Sequence, residues 1–166
     1  MNDFGIASRH AGFAVVRFVR RYAASAEELW AALTREDQLG RWLGAQVSIQ
    51  PKVGGVILLR WPGGERMNGA ILRCEPPRLL EYSWQENQDE PESTVTFEIS
   101  SDGSGAVLVL EHRRLDPRSV VGFAAGWHGH LDALAALLCG GTYDLAGSYE
   151  RLRPVYEARV DSSSLE

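Results

Sequence analysis

One stretch constrains the fold more than any other. Between Ser119 and Cys139 the apolar residues recur at helical spacing. At 100° per residue, Val120, Phe123, Leu131, Leu134 and Leu138 each fall within about 40° of Trp127. A helix over that range is roughly 30 Å long at 1.5 Å per residue, enough to cross a whole sheet. Such a helix must bury its stripe against another layer, and the residues before it supply one.

Runs rich in Val, Ile, Leu, Phe and Tyr predict strands over 13–22, 45–50, 55–61, 67–75, 79–84, 93–100 and 106–113. Gly54-Gly55, Pro62-Gly63-Gly64, Pro76-Pro77, an acidic loop over 85–92 and Asp102-Gly103-Ser104-Gly105 punctuate them. These connections are too short for parallel crossovers, so the strands should pair antiparallel. Alternation groups Val95, Phe97 and Ile99 on one face, and Leu108, Leu110 and His112 on one face of the next strand, looking toward the helix. After the first strand, Ser25 and Glu28 have the spacing of a capping box that opens a helix over 26–33. Thr34 is placed to cap a second helix over 35–42, which Gly44 ends. Beyond Gly140-Gly141, the spacing of Leu145, Tyr149 and Leu152 predicts a short helix over 145–153 that Pro154 interrupts, followed by a polar tail that frays from Asp161.

With 166 residues, 45% of them hydrophobic, the chain suits one domain. Its expected extent is 11–141, after a flexible lead-in of 1–10 and before a C-terminal extension over 142–166. A net charge of −5 with scattered Lys and Arg argues against a nucleic-acid partner. Two cysteines make no disulfide framework and suit a reducing compartment. No run reaches the roughly 18 apolar residues that span a bilayer, so no membrane insertion is expected. The opening residues lack the apolar core of a signal peptide, which gives the cytoplasm as the expected compartment.

The order of elements, with its local motifs, resembles the START-like superfamily, and within it the family named after the activator of heat-shock protein 90 ATPase. The resemblance rests on Ala24 to Trp30, Leu39 with Trp42-Leu43, Gly54-Gly55, and Gly69 to Trp84 with Pro76-Pro77-Arg78-Leu79 and Tyr82-Ser83-Trp84. Ser93 to Glu98, Glu111-His112 and Gly126-Trp127 ahead of Leu131 complete it. It implies an α+β helix-grip fold: a curved antiparallel sheet of about seven strands wrapped around the long C-terminal helix, with two short helices between the first two strands. It also implies a cavity between sheet and helix. Relatives in that superfamily bind lipids, hormones or polyketides, and a minority catalyse cyclisation or hydroxylation.

Trp42, Trp84 and Trp127 are candidate cavity walls, since large rings shape an apolar pocket and indole N–H groups can orient a ligand. Leu58, Tyr82, Phe97, Leu110, His112, Phe123, His130, Leu131 and Leu134 complete the candidate ligand-cavity set. His112 and His130 are the candidate acid–base groups, because imidazole titrates near neutral pH. No metal or other cofactor is expected. His128 and His130 point about 160° apart on a helix, and His128 with Asp132 makes a spacing-four pair, read as a solvated ion pair. Ser25 and Ser119 are read as helix caps rather than nucleophiles, and Cys139 as partly buried. The acidic residues of 86–92 are read as a solubilising hairpin tip, with a place at the cavity mouth as the alternative that the family resemblance implies.

The leading expectation is non-catalytic binding of a hydrophobic small molecule, whether lipid, aromatic or polyketide-like. One alternative is a cyclase or hydrolase acting through His112 or His130. Another is a module that docks a chaperone partner through an exposed apolar patch. A homodimer is compatible with either.

Overall fold

The computed structural model describes residues 3–162. Within them the elements are β1 (Ile6–His10), β2 (Phe13–Tyr22), α1 (Ala26–Thr34), α2 (Glu36–Leu43), β3 (Gln46–Ile49), β4 (Val56–Arg60), β5 (Arg66–Glu75), β6 (Leu79–Trp84), β7 (Ser93–Asp102), β8 (Gly105–Leu115), α3 (Val120–Leu138) and α4 (Leu145–Ser162). The strands form one antiparallel sheet in the order β1-β2-β8-β7-β6-β5-β4-β3. This is the α+β helix-grip arrangement, with eight strands rather than seven. The additional strand is β1. Residues 6–10, expected as a flexible lead-in, pair with β2 across the two-residue turn Ala11-Gly12, whose φ angles are both positive, 53° and 81°.

Period-two alternation sorts the central strands. Val16, Phe18, Arg20 and Tyr22 of β2 lie opposite His112, Leu110, Leu108 and Ala106 of β8. Those in turn lie beside Val95, Phe97 and Ile99 of β7, and then Leu80, Tyr82 and Trp84 of β6. All are buried, and together they make the face that receives α3. Arg20 interrupts the apolar run because its Nη1 crosses to Asp132 of α3 at 2.8 Å, and the Tyr22 hydroxyl donates to the Leu131 carbonyl at 3.0 Å.

The Ser25 capping box forms as expected: Ser25 Oγ accepts from the Glu28 N–H, and the Glu28 carboxylate accepts from the Ser25 N–H. Thr34, by contrast, caps nothing. Its hydroxyl donates back to the Trp30 carbonyl at 2.7 Å, and Arg35 occupies the cap of α2 without a side-chain hydrogen bond. Ser119 caps nothing either. A single 3₁₀ turn, Pro117–Ser119, precedes α3, and its cap is Asp116, which accepts from the Arg118 N–H at 2.8 Å.

The stripe on α3 faces the sheet as the spacing predicts. Val120, Trp127, Leu131 and Leu134 are buried, while Phe123 and Leu138 are half-buried. The opposite side of α3 is covered as well, because α4 runs past Pro154 to Ser162 and packs there. Tertiary contacts carry α4 through the proline's missing N–H. Tyr156 is 1% exposed, accepts from the Gly5 N–H and pairs with His128 Nδ1, both at 2.8 Å. His128 is therefore buried and not part of a solvated pair. Its Nε2 faces Asp132 at 3.5 Å, and burial lowers its pKa more than Asp132 raises it. Cys139, just past α3, is exposed rather than partly buried; it and Cys74 are free thiols. The fraying expected from Asp161 does not begin there, since α4 includes Asp161 and Ser162; the rest of that stretch, 163–166, lies outside the described residues. Among those described, no helix is long and apolar enough to cross a membrane.

Candidate functional site

The twelve residues expected around a ligand cavity separate into three groups. Trp42, Tyr82, Phe97, Leu110, His112, Leu131 and Leu134 are each 0% exposed and belong to the packed core. Trp42 meets Phe97 and Trp127 with ring centroids 6.5 Å away, and Phe97 meets Trp127 at 5.9 Å and Tyr82 at 5.8 Å. These rings occupy the ground between sheet and helix where the sequence suggests open room. Leu58 points the other way: the alternation of β4 turns Ile57 and Leu59 inward and leaves Leu58 on the outer face, 43% exposed. The remaining four, Trp84, Phe123, Trp127 and His130, line a cleft at one end of α3.

His112 is held by a complete hydrogen-bond chain. The Trp127 indole donates to His112 Nδ1 at 3.0 Å, which leaves the imidazole proton on Nε2, 2.7 Å from Ser93 Oγ; the serine hydroxyl then donates to the Trp84 carbonyl at 3.2 Å. Both ring nitrogens are occupied. Burial alone holds the His112 pKa down to about 3, so the ring stays neutral and unable to exchange protons with a substrate.

His130 is placed differently. Its Nδ1 lies 3.1 Å from the Trp42 carbonyl and must donate to it, which puts the Nε2 lone pair on the other side of the ring. Burial lowers its pKa to about 4, against the small opposing effect of that carbonyl. A neutral His130 is thus a hydrogen-bond acceptor at neutral pH and a weak base.

The cleft has two contiguous lobes of about 420 Å³ and about 600 Å³, which share Trp61, Glu86, Gly126, His130 and Tyr149. The Pro117–Ser119 turn and the first half of α3 form one side, with Trp61 and Trp84 from the ends of β4 and β6. The start of α4 and the end of α2 form the other. Trp84 is the hub of the aromatic wall, with Trp127 at 5.4 Å, Trp61 at 6.2 Å and Phe123 at 6.4 Å between ring centroids. Gly126 lies where the lobes meet, and a Cβ built there touches nothing within 4 Å.

The indole N–H groups do not face a ligand as expected, because the protein itself engages them. Trp42 donates to the Ala32 carbonyl, Trp61 to that of Leu43, Trp84 to Glu86 Oε1 and Trp127 to His112. The walls therefore present ring faces and edges. Glu86 borders both lobes, the alternative that the resemblance offered for its loop rather than the simpler solubilising tip. Partial loss of hydration raises its carboxyl pKa, outweighing the Trp84 hydrogen bond, and the charges of Glu90 and Glu65 add to the rise. Sequence reasoning did not single out Trp61, Glu65, Tyr149 or Glu150 as cleft residues. Trp61 carried one usable signal, a large ring directly before the Pro62-Gly63-Gly64 turn; the others depend on where α4 docks.

Comparisons with known proteins agree with this fold. The structure of CalU16 from Micromonospora echinospora is 27% identical with a TM-score of 0.75, covering 93% of this chain and 95% of that one. The solution structure of a protein encoded by gene BPP1335 from Bordetella parapertussis is 31% identical with a TM-score of 0.74, covering 95% and 91%. An HSP90 activator from Plasmodium falciparum is 25% identical with a TM-score of 0.54, covering 61% and 73%. Among curated proteins, none matches the chain. The family described as "Activator of Hsp90 ATPase homolog 1-like protein" matches residues 23–139, from the residues before α1 to the end of α3. Strand order, the grip on α3 and this match over most of the sequence agree: the chain belongs to the Activator of Hsp90 ATPase homolog 1-like family.

Proposed function

We propose that the protein binds a small apolar molecule with a flat ring system in the cleft beside α3, and does not transform it. The observation that carries this reading is the aromatic-walled cleft whose two lobes share Gly126, where a Cβ would enter open space. Each lobe lies within the 300–1,000 Å³ typical of small-molecule sites. Against catalysis stands the committed state of His112. The cyclase or hydrolase alternative keeps His130 alone, a base too weak to be poised near neutral pH. The free thiols Cys74 and Cys139 support a reducing compartment such as the cytoplasm.

A thermal-shift screen of aromatic compounds tests the reading. A ligand at 100 times its dissociation constant adds roughly 2.7 kcal/mol, which raises Tm by about 5–10 °C for a chain of this size. Gly126→Phe, which projects a ring into the cleft from a position with free space, should keep the fold and remove the shift. A shift that survives Gly126→Phe would place binding elsewhere.

A second reading, docking of a chaperone, draws on the family description and on Val56, Leu58 and Leu72, exposed together on the outer face of β4 and β5. It predicts that Leu58→Glu with Leu72→Glu abolishes co-purification with an Hsp90 and that Gly126→Phe leaves it intact. The converse result would exclude this face.

A further inference from the structure

The charge lining the cleft is lopsided. The open lobe bordered by α2, α3 and α4 carries three carboxylates, Glu65, Glu86 and Glu150, and no Lys or Arg. Among the described residues none of the three has a cationic nitrogen within ion-pair distance. The adjoining lobe contains two arginines, and both are matched already. Arg118 binds Asp116 at 2.6 Å and Arg153 binds Glu157 at 3.1 Å, with their side chains 89% and 56% exposed. The three carboxylates are solvent-accessible as well, and what sets Glu86 apart is that it borders both lobes and is held by the Trp84 indole.

Hydrogen-bonding polarity points the same way. The indole donors of Trp61, Trp84 and Trp127 are spent within the protein. His130, with Nδ1 committed to the Trp42 carbonyl, offers the cleft a lone pair. What the walls present is aromatic faces, an imidazole acceptor, the Tyr149 hydroxyl and carboxylates that lack an ion-pair partner. Aromatic faces attract cations through the ring quadrupole, and a carboxylate beside them completes recognition of an ammonium group. An anionic ligand would meet like charge, and a neutral apolar one would strip further water from Glu86 without supplying a counter-charge.

From this juxtaposition of unpaired carboxylates with a tryptophan-walled cleft we infer that the natural ligand is an organic ammonium: a flat apolar body bearing a protonated amine that reaches Glu86. This deepens the proposed function and rests on the cleft being the binding site.

Three probes of similar shape separate the two claims: 2-naphthylmethylamine, cationic at pH 7.5, 2-naphthylmethanol, neutral, and 2-naphthylacetate, anionic. Calorimetric or fluorescence titration should show the amine binding about tenfold more tightly than either of the others, the gain expected for a partly desolvated ion pair with cation–π contact. Glu86→Gln keeps an acceptor for the Trp84 indole, so the fold should stand; it should bring the amine down to the affinity of the alcohol and leave the alcohol unchanged. Gly126→Phe should abolish binding of all three. If the alcohol or the acetate binds as tightly as the amine, or Glu86→Gln affects all three alike, the charge inference is overturned while the cleft stands as a binding site. If no probe binds, or Gly126→Phe has no effect on binding, the cleft reading fails and the inference falls with it.

Discussion

Two glycines three residues apart on α3 meet opposite surroundings. A Cβ at Gly126 enters open space, so Gly126→Ala should raise stability by about 0.5–1 kcal/mol through helix propensity alone. A Cβ at Gly129 would lie 2.6 Å from Ser148 Oγ, where α4 crosses, so Gly129→Ala should lower stability by roughly 1–2 kcal/mol despite the same propensity gain. Urea denaturation of the two variants checks the contrast, and equal effects would mean that α4 does not press on α3 at that point. From sequence the two glycines look alike, because the difference lies in what faces them. His112 teaches the same lesson. Alternation along β8 correctly turned it inward with Leu108 and Leu110. The indole of Trp127, which pins its Nδ1, comes from another element 15 residues away, and spacing along one strand cannot reveal that.

At the scale of elements, legibility followed regularity. β7 and β8 alternate cleanly, α1 opens with a complete capping box and α3 carries a continuous stripe, so each was readable in position and facing. β1 was not, because it is an edge strand with little buried surface and its turn, Ala11-Gly12, lacks the Asn or Asp that normally announces two positive φ angles. Ala11→Asn should therefore stabilise the β1–β2 hairpin by about 1 kcal/mol, since alanine is strained at φ 53° and asparagine tolerates it. Thermal denaturation reads this directly, and a lower Tm would contradict the turn geometry. α4 was half legible. Its first two turns were visible in Leu145, Tyr149 and Leu152, but Pro154 looked like a stop because the contacts of Tyr156 with Gly5 and His128 are long-range. α4 forms one side of the cleft, and because its docking onto α3 is a tertiary contact, Tyr149 was legible as a helix residue but neither it nor Glu150 as a cleft residue.

Across the whole molecule, the buried histidines tie stability to pH. His112 and His130 take up protons only near pH 3 and 4 when folded, against 6.5 for the ordinary side chain. His128 is shifted in the same direction. The unfolded chain therefore binds more protons between pH 6.5 and about 4. The contribution is complete above 6.5 and lost as pH falls, by up to ~1.4 kcal/mol per pH unit for each ring. Denaturation curves at pH 7, 6 and 5 should show this decline, shallower in His130→Gln; a flat profile would mean the rings are hydrated. The hydrogen bond from the Gly5 N–H to the Tyr156 hydroxyl joins positions 151 residues apart. The residues just before β1 are fastened to α4 at that phenol and at Phe4, whose ring lies 5.8 Å from that of Tyr156 and 4.3 Å from the Arg159 guanidinium, so loosening one side of this contact loosens the other. A protease that finds the front of the chain open will find the rear open too.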